Sequence, residues 1–177
     1  MIDGSDRIET VIFAGGCFWC IEESFADLAG VLSTRSGYAG GNKENPTYEE
    51  VCDGETGHLE SVEIKFDPNI LSFENLLEYF WHSIDPFDDK GQFVDRGESY
   101  KTAIFYTNDL QKKEAVAAKK HYEDVFQKPI MTAIRPAAVF YPAEEYHQKY
   151  AQKNPLRYDL YKSSCGRERR LKDIWKK

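Results

Sequence analysis

No stretch of the 177-residue sequence approaches the ~18 consecutive apolar residues that a membrane-spanning helix needs. The opening residues, Met-Ile-Asp-Gly-Ser-Asp, have neither a cationic start nor an apolar core, so no secretory signal is expected. Positive charge is the minority sign: 23 Lys and Arg against 30 Asp and Glu leave a formal net charge of −7. Such a chain repels phosphate backbones and anionic lipid, which argues against nucleic acid or a membrane as partner. There is no internal repeat, no low-complexity tract and no Pro/Ser-rich linker. Residues 1–177 are therefore expected to form one domain, with 154–177 a basic, Tyr-rich tail of less certain shape. Neither a G-x-G-x-x-G fingerprint nor a Walker A sequence occurs, so nucleotide binding is not expected. Cysteine is scarce: Cys17, Cys20, Cys52 and Cys165 are the four. A chain this long needs no disulfide staples, and without an export signal it is expected in the cytoplasm. Thiols there are catalytic, metal-binding or simply buried.

Aromatic residues are abundant, at 14% of the chain. Residues 7–14 read as a strand, broken by Gly15-Gly16. A helix follows from about Cys17 to Ala29, with Phe18, Ile21, Phe25 and Leu28 on one face. Glu22 and Glu23 suit the positive end of its dipole. Residues 31–39 read as extended, and Tyr48–Cys52 as one helical turn. The stretch 58–66 alternates, with Val62, Ile64 and Phe66 on one side. Ser72 caps a helix to about Trp81, residues 85–99 form a long loop, and 100–106 a strand. A helix from Asn108 to about Phe126, a strand over 132–141 and a short helix over 143–151 follow. The order β-α-β-β-α-β predicts an α+β fold of ferredoxin-like, split βαβ type, a mainly antiparallel sheet with packed helices. A doubly wound sheet is the alternative.

The chemistry centres on Gly-Gly-Cys-Phe-Trp-Cys, residues 15–20. Cys17 is placed at the first turn of a helix, where free backbone N–H groups stabilise a thiolate. The competing view is a small buried hydrophobe. Phe18 and Trp19 either wall a pocket beside the thiol or pack in the core. The Cys17-x-x-Cys20 spacing fits a redox pair, half a zinc site, or one nucleophile with a bystander. A zinc site would need two more ligands, and no second C-x-x-C is present. By parity, Glu60 shares the apolar side of its strand. Desolvation would raise its pKa and make it a proton donor at neutral pH, unless the strand start is solvated.

Together these segments resemble the A-type peptide methionine sulfoxide reductases. The matching residues are Gly-Cys-Phe-Trp-Cys at 16–20, Pro-Thr-Tyr-Glu-Glu-Val-Cys-Asp-Gly-Glu-Thr-Gly-His-Leu-Glu at 46–60, and Phe66-Asp67-Pro68. Asp95-Arg96-Gly97 before Tyr100, Tyr141-Pro142-Ala143-Glu144 and Tyr146-His147-Gln148 also match. The likeness covers about residues 9–150. It implies that Cys17 attacks the sulfur of an S-epimer methionine sulfoxide, leaving a cysteine sulfenic acid. A second cysteine then closes a disulfide, which thioredoxin reduces. It implies that Phe18 and Trp19 hold the substrate methyl group, and that Glu60, Tyr48 and Tyr100 hydrogen-bond the sulfoxide oxygen. Asp95 helps build the pocket, and His147 either orients it or lies on a surface helix. No cofactor or metal is implied, and a monomer is expected. The chain departs from the pattern at Ser99-Tyr100-Lys101 and in the tail. Cys165 is the expected resolving thiol, reached through a mobile tail, with Cys20 the competitor. The alternatives are a general dithiol–disulfide oxidoreductase, an aromatic peptide-binding module, and a Cys–His hydrolase using His58 or His147.

Overall fold

A computed structural model describes residues 7–176; the opening residues, where a targeting signal would begin, lie outside the described range. Strand β1 (Glu9–Gly15) leads through Gly16 and Cys17 into α1 (Phe18–Ala26). Then come β2 (Val31–Ala39), α2 (Tyr48–Cys52), β3 (Leu59–Phe66) and α3 (Phe73–Trp81). The side-chain oxygens of Thr47 and Ser72 accept the backbone N–H groups of Glu50 and Asn75, satisfying donors that a helix start leaves free. Two short strands, β4 (Gly91–Gln92) and β5 (Asp95–Arg96), precede β6 (Thr102–Tyr106). Helix α4 (Asp109–Phe126) is capped by Asn108, and β7 (Ala133–Pro136) and β8 (Phe140–Pro142) follow it. Helices α5 (Tyr150–Lys153), α6 (Pro155–Ser164) and α7 (Arg167–Trp175) end the chain.

Six strands form one sheet in the order β7-β6-β1-β3-β2-β8. Every pairing is antiparallel except β6 with β7. The fold is thus mixed α/β with a mainly antiparallel sheet. One face carries Val11, Phe13, Val62, Ile64, Phe66 and Ile104 against Phe18, Ile21 and Phe25 of α1 and Leu76 and Phe80 of α3. Phe13 stacks on Phe80 with ring centroids 4.4 Å apart. Each large apolar side chain buried here contributes roughly 1.5–3 kcal/mol, and this face fixes α1 and its first turn.

The sequence expectation of one strand over 132–141 is corrected. Pro136 ends β7, because proline brings no N–H to continue a ladder. The chain then crosses to the opposite edge of the sheet, where β8 pairs with β2. Only residues 137–139 lie between the two strands. Four Cα steps reach at most ~14 Å, whereas six flat strands spaced ~4.8 Å apart would put the edges ~24 Å apart. The sheet must therefore curl, bringing its edges together. Its inner face is lined by the small residues Ala14, Ala39 and Ala103 and filled by Phe105 and Phe140. At Gly37, a Cβ would stand 2.4 Å from both the Phe140 ring and the Tyr141 carbonyl oxygen, so only glycine admits β8 at that distance.

Three further expectations change. Residues 85–99 are no open loop: they carry the β4–β5 hairpin and enter a 3-10 turn over Glu98–Tyr100, so Tyr100 precedes β6 rather than opening it. Residues 143–151 hold a 3-10 turn over Glu145–His147 before α5 instead of one helix. The tail is helical: Cys165 is the C-cap of α6 and only 2% exposed. Trp175 of α7 stacks on His82 at 4.3 Å, and Tyr158, Arg167 and Ile174 are buried.

Candidate active site

Cys17 ends the turn out of β1 and is the N-cap residue of α1, with φ −56° and ψ 117°. Its carbonyl accepts the backbone N–H groups of Cys20 and Ile21 at 3.2 and 3.3 Å. The approach is allowed by Gly16, whose φ of +86° suits glycine and where a Cβ would meet Gln92 at 2.6 Å. Gln92 is itself fully buried, bonded to the Asp85 amide and to the carbonyls of Asp85 and Gly91. Side-chain pressure from the β4–β5 hairpin thus sets the backbone beneath the thiol.

The two cysteines form one unit. Their side chains pack in one buried cluster, and each thiol shifts the proton affinity of the other. Burial pushes the Cys17 thiol up, and Cys20, Glu60 and Asp95 push in the same direction. This reverses the sequence expectation of a depressed Cys17, because Cys17 is withdrawn from solvent and faces a thiol and carboxyl groups. The easier proton belongs to Cys20, lowered to about 7 first by Cys17, against burial, and by Arg167 and the Tyr158 hydroxyl. An interacting pair of this kind loses its first proton readily and its second reluctantly.

Glu60 comes from the buried parity of β3 and is 2% exposed. Its Oε1 accepts the Phe18 backbone N–H at 3.2 Å, so the carboxyl lies against the first turn of α1. Its Oε2 is equally buried and completes no hydrogen bond, with the Tyr100 hydroxyl facing it at longer range. Desolvation raises the group from 4.5 to about 8; the Phe18 N–H opposes this and Asp95 adds to it. Glu60 is therefore mostly protonated at neutral pH. Tyr48 and Tyr100 are half-buried, and burial together with Glu60 lifts both phenols far above their ordinary range. Three neutral O–H donors thus converge beside the thiol pair.

An aromatic cluster flanks them. The Phe18 ring lies 5.0 Å from His147 and 6.4 Å from Tyr48. Trp19 stacks on Tyr150 at 3.8 Å and donates its indole N–H to His147 Nδ1 at 3.0 Å. That bond leaves the imidazole proton on Nε2, which is buried without a partner. Burial lowers the His147 pKa, so the ring is neutral. His147 is buried in a 3-10 turn against this cluster, not on a surface helix. His58 is engaged elsewhere. Its Nδ1 accepts the Gly41 N–H at 3.0 Å and its Nε2 contacts the Lys43 carbonyl at 2.7 Å, pinning the loop before α2. Among the described residues neither histidine hydrogen-bonds Cys17. Asp95 is hydrogen-bonded to the Tyr161 hydroxyl. Cys165 is buried at the end of α6 with its thiol donating to the Lys162 carbonyl at 3.4 Å, while Cys52 is exposed near the Tyr48 hydroxyl.

Several side chains here escaped the sequence reading. Glu22 does not serve the dipole; it lies beyond the first turn and is 2% exposed. Its Oε1 accepts the Lys149 N–H at 2.7 Å and the Ser36 hydroxyl at 3.3 Å, and its Oε2 accepts the Thr34 hydroxyl at 3.0 Å. It ties the segment carrying His147 and Tyr150 to α1 and β2. The signal that could have found it is its place on the apolar stripe, between Phe18 and Phe25 at helical spacing. Glu144 links the Tyr38 hydroxyl at 2.9 Å to the Tyr48 N–H at 3.1 Å, fixing α2. Arg167, Tyr158 and Tyr161 arrive from the tail and carry no sequence signal of their own.

A family model for peptide methionine sulfoxide reductase matches residues 9–177. The chain is 53% identical over 173 residues to the peptide methionine sulfoxide reductase MsrA of Bacillus licheniformis, covering 97% of this chain and 96% of that protein. It is 48% identical over 169 residues to MsrA 2 of Staphylococcus aureus, covering 94% and 96%. Among solved structures it resembles methionine sulfoxide reductase A of Corynebacterium diphtheriae, with TM-score 0.81 and 34% identity over 86% of this chain and 78% of that one. It also resembles reduced Mxr1 of Saccharomyces cerevisiae, with TM-score 0.79 and 29% identity over 85% and 87%.

Proposed function

The chain belongs to the peptide methionine sulfoxide reductase family, and from that premise we propose how its own residues carry the reaction. It is an oxidoreductase that returns methionine sulfoxide to methionine, a repair of oxidised protein. The observation that carries the proposed mechanism is the contact between Glu60 and the first turn of α1, with the Cys17–Cys20 pair in the same pocket.

The substrate is the S-epimer. Its methyl group lies against Phe18 and Trp19, and its oxygen meets Glu60, Tyr48 and Tyr100. A sulfoxide oxygen is a poor leaving group until protonated, and a carboxyl held neutral near pH 7 supplies that proton. A proton passed from Cys17 to Cys20 puts the thiolate on Cys17, which attacks the substrate sulfur. Methionine leaves and Cys17 keeps the oxygen as a sulfenic acid. Asp95 and His147 shape the pocket through Tyr161 and Trp19.

Cys20 is the resolving thiol in this proposal, ahead of Cys165, because it packs in one buried cluster with Cys17 and is electrostatically coupled to it. Cys165 is then a third thiol, buried at the end of α6. Thioredoxin is the proposed reductant, and the setting is a monomer in the cytoplasm. The four strands β6-β1-β3-β2, taken with α1 and α3, support describing the frame as a ferredoxin-like split βαβ. Turnover of each methionine sulfoxide epimer with dithiothreitol tests the whole: only the S-epimer should react, and Cys17→Ser should abolish it. Equal turnover of an insulin-type disulfide, independent of Glu60, would favour a general dithiol oxidoreductase instead.

A further inference from the structure

One matched segment, Tyr141-Pro142-Ala143-Glu144, has no task in the proposed reaction. Glu144 is half-buried, and both its oxygens are taken by neutral donors. Its Oε1 accepts the Tyr38 hydroxyl at 2.9 Å and its Oε2 the Tyr48 backbone N–H at 3.1 Å. Its carbonyl accepts the His147 N–H at 2.9 Å. Two donors facing one side chain suit a group that only accepts, which an ionised carboxylate is. The residue stands on a fixed base. The Ser36 carbonyl accepts the Ala143 N–H at 2.9 Å and the Gln148 amide at 2.8 Å, and the Gln148 side-chain oxygen accepts the Ser36 N–H at 2.9 Å. Residues 143–148 are therefore stitched to β2 on both sides of Glu144.

Tyr48 needs such a hold. Helix α2 has five residues, far fewer than the ~12–15 that a helix needs to persist by itself. The first N–H groups of a helix have no partner within it. Thr47 answers the one from Glu50, and Glu144 answers the one from Tyr48 itself. The Tyr48 ring then packs against His147, with centroids 4.4 Å apart, and His147 hangs from the Glu144 carbonyl. Both fastenings of Tyr48, its backbone and its ring, thus run to one residue. On the other side, the fully buried Tyr38 ring lies 5.9 Å from Phe18. Glu144 stands between the phenol side and the Phe18 side of the pocket.

We propose that Glu144 is the positioning residue for Tyr48: it sets where that phenol stands when the sulfoxide oxygen arrives, relative to the Phe18 ring against which the methyl group lies. The inference rests on the reading of Tyr48 as a donor to that oxygen. Glu144 touches no reacting atom, and its effect on the reaction passes through the Tyr48 hydroxyl. The requirement is for two bonds rather than for a charge. A glutamine there keeps both, its amide oxygen taking the Tyr48 N–H and its amide N–H donating to the Tyr38 oxygen. An alanine keeps neither.

The test is single-turnover reduction of an S-epimer methionine sulfoxide by the full-length enzyme, with near-UV circular dichroism as the control for folding. Tyr48→Phe should slow it by ~10²-fold, the cost of one lost donor to a developing charge. Glu144→Ala should slow it by ~10–10²-fold through misplacement of the same donor. Added to Tyr48→Phe, Glu144→Ala should then cost less than about threefold more, because residues that act through one another are not additive. Glu144→Gln should stay within about threefold of the native rate, since it keeps both bonds. A merely structural role would slow both backgrounds equally. Full multiplication of the two losses, or a Glu144→Gln variant as slow as Glu144→Ala, overturns the inference. Tyr38→Phe frees one carboxylate oxygen without entering α2 and decides if Glu144→Ala does not fold: it should slow reduction in the native background and have no effect beside Tyr48→Phe. A native rate in Tyr48→Phe would instead overturn the underlying reading of that phenol, and the inference with it.

Discussion

Replacing Glu60 by Gln should make the protein more stable and a poorer enzyme at once. The carboxyl is raised from 4.5 to about 8 in the folded state. The sign follows from linkage: below the unfolded value both states are protonated and no penalty exists. As pH rises past it, the unfolded chain ionises while the folded chain does not, so the native state loses stability until pH reaches the folded value. At 1.36 kcal/mol per unit, the penalty is about 0.8 kcal/mol at pH 5 and about 3.4 kcal/mol at pH 7, an order-of-magnitude ceiling. Gln does not titrate, and it can still accept the Phe18 N–H. Urea unfolding of both proteins should show a stability difference that grows by about 2.5 kcal/mol between pH 5 and pH 7 in favour of the variant. That window lies below most of the Cys20 titration, which is also common to both proteins. Single-turnover reduction of the sulfoxide should meanwhile fall by ~10²–10⁴, because an amide donates a hydrogen bond but gives up no proton. A stability difference that stays flat from pH 5 to pH 7 would refute the argument that burial, rather than substrate, holds the proton on Glu60.

With thioredoxin as reductant, Cys20→Ser should release one methionine per enzyme and then stall, whereas Cys165→Ser should keep cycling; counting free thiols after one equivalent of substrate distinguishes them. Glu22→Ala breaks the tie between α1 and the segment carrying His147 and Tyr150. With Lys149 left partly solvated, the loss should be about 1–3 kcal/mol in chemical unfolding, with KM for a peptide sulfoxide rising more than kcat falls. Gly16→Ala sets a Cβ against Gln92 in a left-handed backbone, costing about 1–3 kcal/mol. Differential scanning calorimetry should register that loss, and sulfenic acid formation should slow because Cys17 is displaced.

The alternation from His58 to Phe66, and the Ser72 and Asn108 caps, made the middle strand and two helices legible, because each rests on short-range periodicity or a local hydrogen bond. Glu60 was legible for the same reason: parity placed it on the buried side. The two-edged course of residues 132–142 was not, since nothing local says that Pro136 ends one strand and the next pairs five strands away. The Cys17 proton was misjudged by treating a helix start as solvated, whereas burial and a neighbouring thiol dominate there. Glu22 was hidden by its type, an acid read as a surface dipole partner although its spacing matched Phe18 and Phe25. Arg167 was beyond reach because its contact depends on α7 folding back to the carbonyl of Gly15.

The curl of the sheet bears on the company this enzyme keeps. Methionine sulfoxide repair brings an enzyme of this family against other polypeptide chains, whose backbone can pair with any strand left open to it. An open sheet offers such chains an unpaired row of N–H and C=O groups to extend. Here β7 and β8, the two terminal strands, are three or four residues long, and the three-residue link between them draws both borders toward each other instead of outward. Arg135 Nη2 reaches from β7 to the Gly40 carbonyl at 2.9 Å, closing the gap from one side to the other. Among the described residues a client chain meets only these short, drawn-in sheet borders, which offer little backbone to extend. Repair can then proceed by docking one side chain, and the repairer does not become the seed of an aggregate.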